Sequence, residues 1–317
     1  MPSDEGGLLR EGDMVYLEKF ILPDEDREAE IANRRREENG GALGYLENGY
    51  PCMLFPQRGL KELDFEPITI FYGGNGSGKS TLLNVIAEKF KLKRQSPYNG
   101  GELFLPYARA CGYRPGYDDE GEPFAGLPLA SRLIASDDVF EYMLTARTRN
   151  EEIAENTEDA KGEYAALKYG DTVRFSGLED YEAVRLQLLA RRKSLSRRKF
   201  MHRLVGKEVR LRSNGETALR FFDEQLRDGA LYCLDEPENS LSPKLQMQMK
   251  EILEEKARFC GCQLIVATHS PFLLSMRGAK IYDLDSSPVL PKKWWELENT
   301  KTYFAFFYKH RDLFLKK

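Results

Sequence analysis

Apolar positions in this chain gather into short β-branched or aromatic runs, set between long charged stretches, and the runs mark the strands. Met14–Leu22 (MVYLEKFIL) alternates roughly and stops at Pro23, as a first strand would. Asp24–Gly41 is charged throughout and predicts a solvent-facing helix or loop inserted between strands. Tyr50–Phe55 and Leu63–Phe65 read as further short strands leading into Pro67–Tyr72 (PITIFY). Leu82–Glu88 is helix-like, and the turn-rich Ser96–Gly101 closes that unit. Residues 102–127 are rich in Gly, Pro and Tyr without a regular period and predict irregular strands and loops. Leu133–Ala135 is a strand end ahead of Ser136, Asp137 and Asp138. From Val139 to Lys168 the pattern is helical and acidic, and from Glu179 to Arg203 helical and basic, with no heptad repeat. Ala230–Glu236 and Leu264–Ser270 are buried-strand runs, and Thr217–Leu226 between the insert and the first of them is helical. The aromatic stretch from Trp294 to Lys317 has approximate helical spacing and is expected to pack against the sheet rather than to serve as a partner-docking helix.

Together these elements predict an α/β fold, with a mixed or parallel core sheet flanked by helices and an antiparallel β part at the N-terminus. Residues 1–136 would form an N-terminal lobe, 137–210 an inserted helical subdomain and 211–317 a C-terminal lobe of one composite domain.

The strand at Pro67–Tyr72 and the helix after it frame Gly73-Gly74-Asn75-Gly76-Ser77-Gly78-Lys79-Ser80, followed by Thr81. This fits G-x-x-x-x-G-K-[ST] in the strand–loop–helix setting that a phosphate loop requires. Its glycines let backbone N–H groups turn inward around an anion at the positive end of a helix beginning near Lys79. Lys79 would reach the β- and γ-phosphates, and the Ser80 hydroxyl would ligate Mg2+.

Composition narrows the setting. The chain has 317 residues, a net charge of −4, five cysteines without a Cys-x-x-Cys pair and three histidines. An odd cysteine count in a chain this size fits a reducing compartment and argues against structural zinc. The first residues carry neither a basic nor an apolar leader, and no apolar run approaches membrane-spanning length, so a cytoplasmic protein without a membrane partner is expected. Charge is uneven: between Arg185 and Arg212 there are eleven Lys or Arg residues against one acid, Glu208. Such a stripe can contact the phosphate backbone of DNA or RNA, or it can pair with the acidic 150–163 segment or an acidic partner protein. Only Phe200 interleaves it, so it offers no stacking platform for single strands.

Two acids, Asp235 and Glu236, end one buried strand, and His269 ends the other. In a phosphate-loop ATPase the first acid holds Mg2+ and the second orients and deprotonates the attacking water. Arg212-Ser213-Asn214-Gly215-Glu216 opens the helix before Leu226, either as an ordinary helix start or as a second anion-binding N-terminus.

In this order and spacing the pieces resemble ATP-binding-cassette (ABC) type P-loop ATPases. Asp235–Ser242 (DEPENSLS) resembles their Walker B and D-loop, Ser213–Glu216 (SNGE) their signature, and Ala267–Pro271 (ATHSP) their switch-histidine segment. The wording is similar to the soluble chromosome-maintenance (SMC), RecF-like and repair branch, and to small stand-alone bacterial AAA-type ATPases, in which a Tyr-x-Leu-Asp strand recurs, here Tyr282–Asp285. Arg212 and Asn214 replace the Leu and Gly of transporter signatures, and no glutamine stands between Gln95 and Gln187 to serve as a Q-loop; Ser136, Asp137 and Asp138 lie near its expected place.

The resemblance implies a head-to-tail homodimer with two ATP molecules between the copies. Gly73, Asn75, Gly76, Ser77, Gly78, Lys79, Ser80 and Thr81 would bind ATP, Ser80 and Asp235 its Mg2+, and Ser213 and Gly215 of the second copy would close the site. Glu236 would activate water and His269 would sense the γ-phosphate. Tyr45 or Tyr50 could stack on adenine. The use of the cycle stays open between a nucleic-acid switch, a regulator of a separate effector such as a nuclease or toxin in phage defence, and a transporter subunit, the reading the motif wording fits least.

Overall fold

The computed structural model describes residues 14–38, 49–98, 100–146, 148, 165, 167–171, 181–191, 214–239 and 241–315. The chain divides into two compact units, one of residues 1–139 with 218–317 and one of residues 140–217.

In the larger unit, β1 (Leu17–Ile21) lies between β2 (Glu62–Asp64) and β4 (Gly112–Pro115) in an antiparallel sheet of three strands. The main sheet has six strands in the order β5 (Arg132–Ala135), β6 (Leu231–Asp235), β7 (Gln263–Ala267), β3 (Ile68–Tyr72), β8 (Lys280–Asp283) and β9 (Pro291–Lys292). All pairings in it are parallel except β8 with β9. β3 and β7 are buried at every position, which is why they read as largely apolar runs rather than alternating ones. The α/β architecture expected from the sequence is therefore present, with the antiparallel part formed by N-terminal strands.

A buried glutamine helps couple the two sheets. Gln263, fully buried at the start of β7, accepts hydrogen bonds from the N–H groups of Tyr16 and Leu17 at 2.9 Å each and donates to the Leu17 carbonyl at 2.8 Å. A buried amide with its hydrogen-bonding capacity used this fully fixes where the small sheet meets the large one.

Three expectations need correction. Residues 102–127 are not all irregular: Phe104–Ala110 is a helix that buries Phe104, Tyr107 and Ala108 on one face. Pro106 hid it in the sequence, but it sits in the first turn, where a missing N–H breaks no helical bond. Tyr50–Phe55 is a turn rather than a strand, with Met53 at a left-handed φ of 64°. The Met53 N–H donates to Glu28 of the charged helix Glu25–Glu38, at 2.5 Å, so that helix buries one acid while most of its surface faces solvent.

The third correction concerns the C-terminus. The helix Glu298–Lys309 and the short helix Arg311–Leu315 carry the expected aromatics, yet Phe304 and Phe314 are each 69% exposed, and Tyr303, Phe306, Phe307 and Tyr308 are exposed as well. Among the described residues it is the root that is tied down, by buried Leu297 and Thr300 and by the Asn299 N–H on the Tyr72 hydroxyl at 3.2 Å. Helical spacing aligns the aromatics with one another, as in the stacked pair Phe304 and Tyr308, without bringing the sheet to them.

In the smaller unit, the helix Tyr181–Arg191 uses Gln187 and Arg191 to hold the turn before it, donating to the carbonyls of Asp171 and Gly170 at 2.7 Å each. The rest of the basic stripe, the acidic 150–163 segment and Ser213 lie outside the described residues, and Gly215 lies in the first turn of the helix Asn214–Gln225.

Candidate active site

Strand order places the chemistry. β6, β7 and β3 are consecutive neighbours, and Ala267 is the register partner of both Phe71 and Asp235. The loops leaving these strands therefore emerge side by side at the carboxyl edge of the sheet, where open α/β sheets hold their ligands.

After β3 the chain makes the phosphate loop and enters the helix Lys79–Phe90 through Gly78, at φ 93°. A Cβ at Gly73 would stand 2.5 Å from the Ser77 hydroxyl oxygen, so only glycine allows the loop to close this tightly. Lys79 is buried and donates to the carbonyls of Gly73 at 2.8 Å and Gly74 at 3.0 Å. Gly74, Asn75 and Gly76 form the exposed crest of the loop. Ser80 donates its hydroxyl proton to Asp235 at 3.0 Å. The Thr81 hydroxyl accepts a hydrogen bond from Tyr50, whose ring stacks on Phe104. Tyr50 is thus engaged beside the loop's helix, and Tyr45 lies outside the described residues.

Glu236 leaves β6 in a left-handed conformation, φ 46°, at a position where a side chain is sterically disfavoured. That turn brings its carboxylate 3.8 Å from the Lys79 ammonium and 3.8 Å from His269 Nδ1. Asn239 donates to its other oxygen at 3.1 Å. Burial pushes the Asp235 carboxyl from 3.8 up to about 6, and Glu236 beside it adds to the rise, against the lowering effect of the Ser80 hydrogen bond and of Lys79. Lys79, Ser80, Asp235, Glu236 and His269 are thereby brought together.

Sequence reasoning passed over Glu238. It is buried, and one of its oxygens accepts from the Thr268 hydroxyl at 2.6 Å and from the His269 N–H at 3.1 Å, and lies 3.6 Å from His269 Nδ1. Its signal was a second acid after an apolar strand, but its partner is set by the β6–β7 register, which no local pattern reports. Asp138, near the expected Q-loop, is occupied elsewhere: its carboxylate accepts from the Ser96 N–H and hydroxyl and from the Ala135 N–H. Both of its oxygens are thereby engaged within the fold.

The site fits a magnesium nucleotide. The Ser77 hydroxyl is buried inside the loop with no partner among the described residues, as an anion-binding loop leaves its donors. Ser80 and Asp235 offer hard oxygen donors side by side. No group of three or more His, Cys, Asp or Glu suited to a metal occurs among the described residues. A magnesium ion held by one carboxylate and one hydroxyl, with phosphate and water oxygens completing its shell, needs none.

Residues 113–275, just over half of the chain, match the family model described as "AAA domain, putative AbiEii toxin, Type IV TA system". The chain belongs to that family. The match to the AAA family spans β6, β7 and His269, whereas the phosphate loop lies upstream of it and rests on its own geometry. No curated protein matches the sequence. Among solved structures, the SMC head domain from Thermotoga maritima is similar at 16% identity and a TM-score of 0.41, over 87% of this chain and 99% of that one. The structure of cbiO1 from Clostridium perfringens, part of the ABC transporter complex cbiONQ, is similar at 16% identity and a TM-score of 0.33, over 78% of this chain and 85% of that one. No helix among the described residues is long and apolar enough to cross a membrane.

Proposed function

We propose that this AAA-family chain binds MgATP at the carboxyl edge of β3, β6 and β7, hydrolyses it, and uses the cycle as a switch between separate and paired copies. The observation that carries the reading is the convergence of Lys79, Ser80, Asp235, Glu236 and His269 from three adjacent strand ends. The N–H groups of Gly76, Gly78 and Lys79 cradle the phosphates, with Gly73, Asn75, Ser77 and Thr81 framing them, and the Lys79 ammonium turns from the Gly73 and Gly74 carbonyls to phosphate oxygens. Ser80 and Asp235 hold Mg2+. When bound, the ion neutralises charge shared by the β- and γ-phosphate oxygens. Glu236 accepts the proton of the attacking water, and His269 hydrogen-bonds at the γ-phosphate end. Ser213 and Gly215 of a second copy close the site from the opposite side, in a head-to-tail homodimer.

The test is the size of Glu236→Gln with and without MgATP, beside Lys79→Ala. The first variant should accumulate as an ATP-bound dimer and the second should stay monomeric. A Glu236→Gln protein that binds ATP yet remains monomeric at high concentration would sink the paired-copy model.

The output of the switch divides two readings. Salt-sensitive stimulation of turnover by double-stranded DNA would assign the 185–212 stripe to nucleic acid. The other reading is control of a separate effector protein in phage defence, and the family description, which names a putative toxin of a type IV toxin–antitoxin system, connects the family to such two-component systems. On that reading turnover ignores DNA and responds to the product of a neighbouring gene.

A further inference from the structure

The outer side of the phosphate loop is gripped by two residues that the reaction itself does not use. β8 runs beside β3, and just past its end the Leu284 N–H donates to the Tyr72 carbonyl at 2.8 Å, which keeps the following turn next to the loop. From that turn Asp285 accepts the Gly74 N–H at 2.7 Å. Arg58 closes the short 3-10 turn Pro56–Arg58 and donates through Nη1 to the Ser77 carbonyl at 2.7 Å and the Leu284 carbonyl at 2.5 Å. Its own carbonyl accepts the Val289 N–H at 3.0 Å. Asp285 thus holds the limb of the loop that leaves β3, and Arg58 holds the limb that turns into the helix.

Lys79 braces the same loop from inside, through the Gly73 and Gly74 carbonyls. Those are the contacts it gives up when its ammonium turns to phosphate; Asp285 is then what keeps the Gly73–Gly74 limb in shape, while Arg58 keeps the Ser77 limb. We propose that Arg58 and Asp285 are positioning residues forming an outer clamp, which keeps the phosphate loop in its anion-binding form once Lys79 has engaged the nucleotide. The proposal rests on the reading of the site as a nucleotide site. It places the effect in affinity: a loop that must be reordered at each binding event binds more weakly, whereas Glu236 and the attacking water are untouched.

MgATP dissociation constants and saturated turnover, measured on the full chain, test this. Asp285→Ala should weaken MgATP about ten-fold, the equivalent of one charge-assisted hydrogen bond, with turnover at saturation within about two-fold of wild type. Asp285→Asn, whose amide oxygen accepts the same N–H, should restore affinity to within about two-fold of wild type. Arg58→Ala should weaken binding comparably, and serves if Asp285→Ala fails to fold. Gly74→Pro, which removes the N–H at a residue outside the left-handed region, should weaken binding and cancel any further effect of Asp285→Ala. Unchanged affinity in Asp285→Ala overturns the clamp alone. So does tighter binding, the result expected if the carboxylate merely repelled phosphate, and so does failure of Asp285→Asn to rescue. No MgATP binding by the wild type overturns the nucleotide reading, and the clamp with it.

Discussion

The substitution Asp235→Asn should stabilise the nucleotide-free protein while removing its response to MgATP. Burial pushes the Asp235 carboxyl from 3.8 to about 6, so the folded state holds this proton more tightly than the unfolded chain does. A raised carboxyl destabilises nothing below about pH 4, where both states are protonated, then progressively destabilises as pH rises to about 6 and fully above that. A rise of that size corresponds to about 3 kcal/mol at pH 8, an upper figure because the surroundings relax around the charge. Asparagine keeps the oxygen that accepts the Ser80 hydroxyl at 3.0 Å and loses only the charge. Without nucleotide or Mg2+, the variant should melt roughly 4 °C above wild type at pH 8, with the gap closing toward pH 4. With MgATP the order should reverse, because the carboxylate that weakens the empty site is the one that holds the ion. Thermal melts at pH 4, 6 and 8, with and without MgATP, decide the matter. A variant less stable than wild type at pH 8 without ligand, or a gap that does not change with pH, would refute the reasoning.

Two further outcomes follow from the packing. Gln263→Ala should cost about 3 kcal/mol in denaturant unfolding, because it strands the Tyr16 and Leu17 N–H groups and the Leu17 carbonyl in the interior. Phe304→Ser, at a ring 69% exposed, should change stability by less than about 0.5 kcal/mol, whereas Phe71→Ala, at a ring with no exposure, should cost about 3 kcal/mol or more. Equal costs would mean that the C-terminal helix is packed after all.

What was legible in the sequence is what local pattern controls. β3 and β7 are buried at every position and β6 at all but its last, so all three leave largely apolar runs, and the phosphate loop announces itself because its backbone shape demands glycine at fixed spacing. Residues whose roles depend on strand register stayed hidden. Glu238 matters only because β6 lies beside β7, and Gln263 only because two sheets meet there. The helix Phe104–Ala110 was concealed by a proline that does no harm in a first turn. The aromatics from Tyr303 to Phe314 show the opposite failure: apolar spacing identifies a face but not what, if anything, meets it.

The sheet order also governs how the chain can come to be folded. β3 is fully buried, yet its two neighbours are β7 and β8, so Ile68 pairs with Leu264 and Tyr72 with Asp283. During synthesis the phosphate loop and its strand leave the ribosome long before either flank of β3 exists, and an apolar strand with two open edges must wait for most of the remaining chain. Nucleotide cannot assist at that stage, since Asp235 and His269 arrive only with β6 and β7. Maturation of this protein should accordingly be slow and dependent on protection of the nascent N-terminal part, and a chain interrupted before β7 should aggregate rather than persist as a partial nucleotide binder.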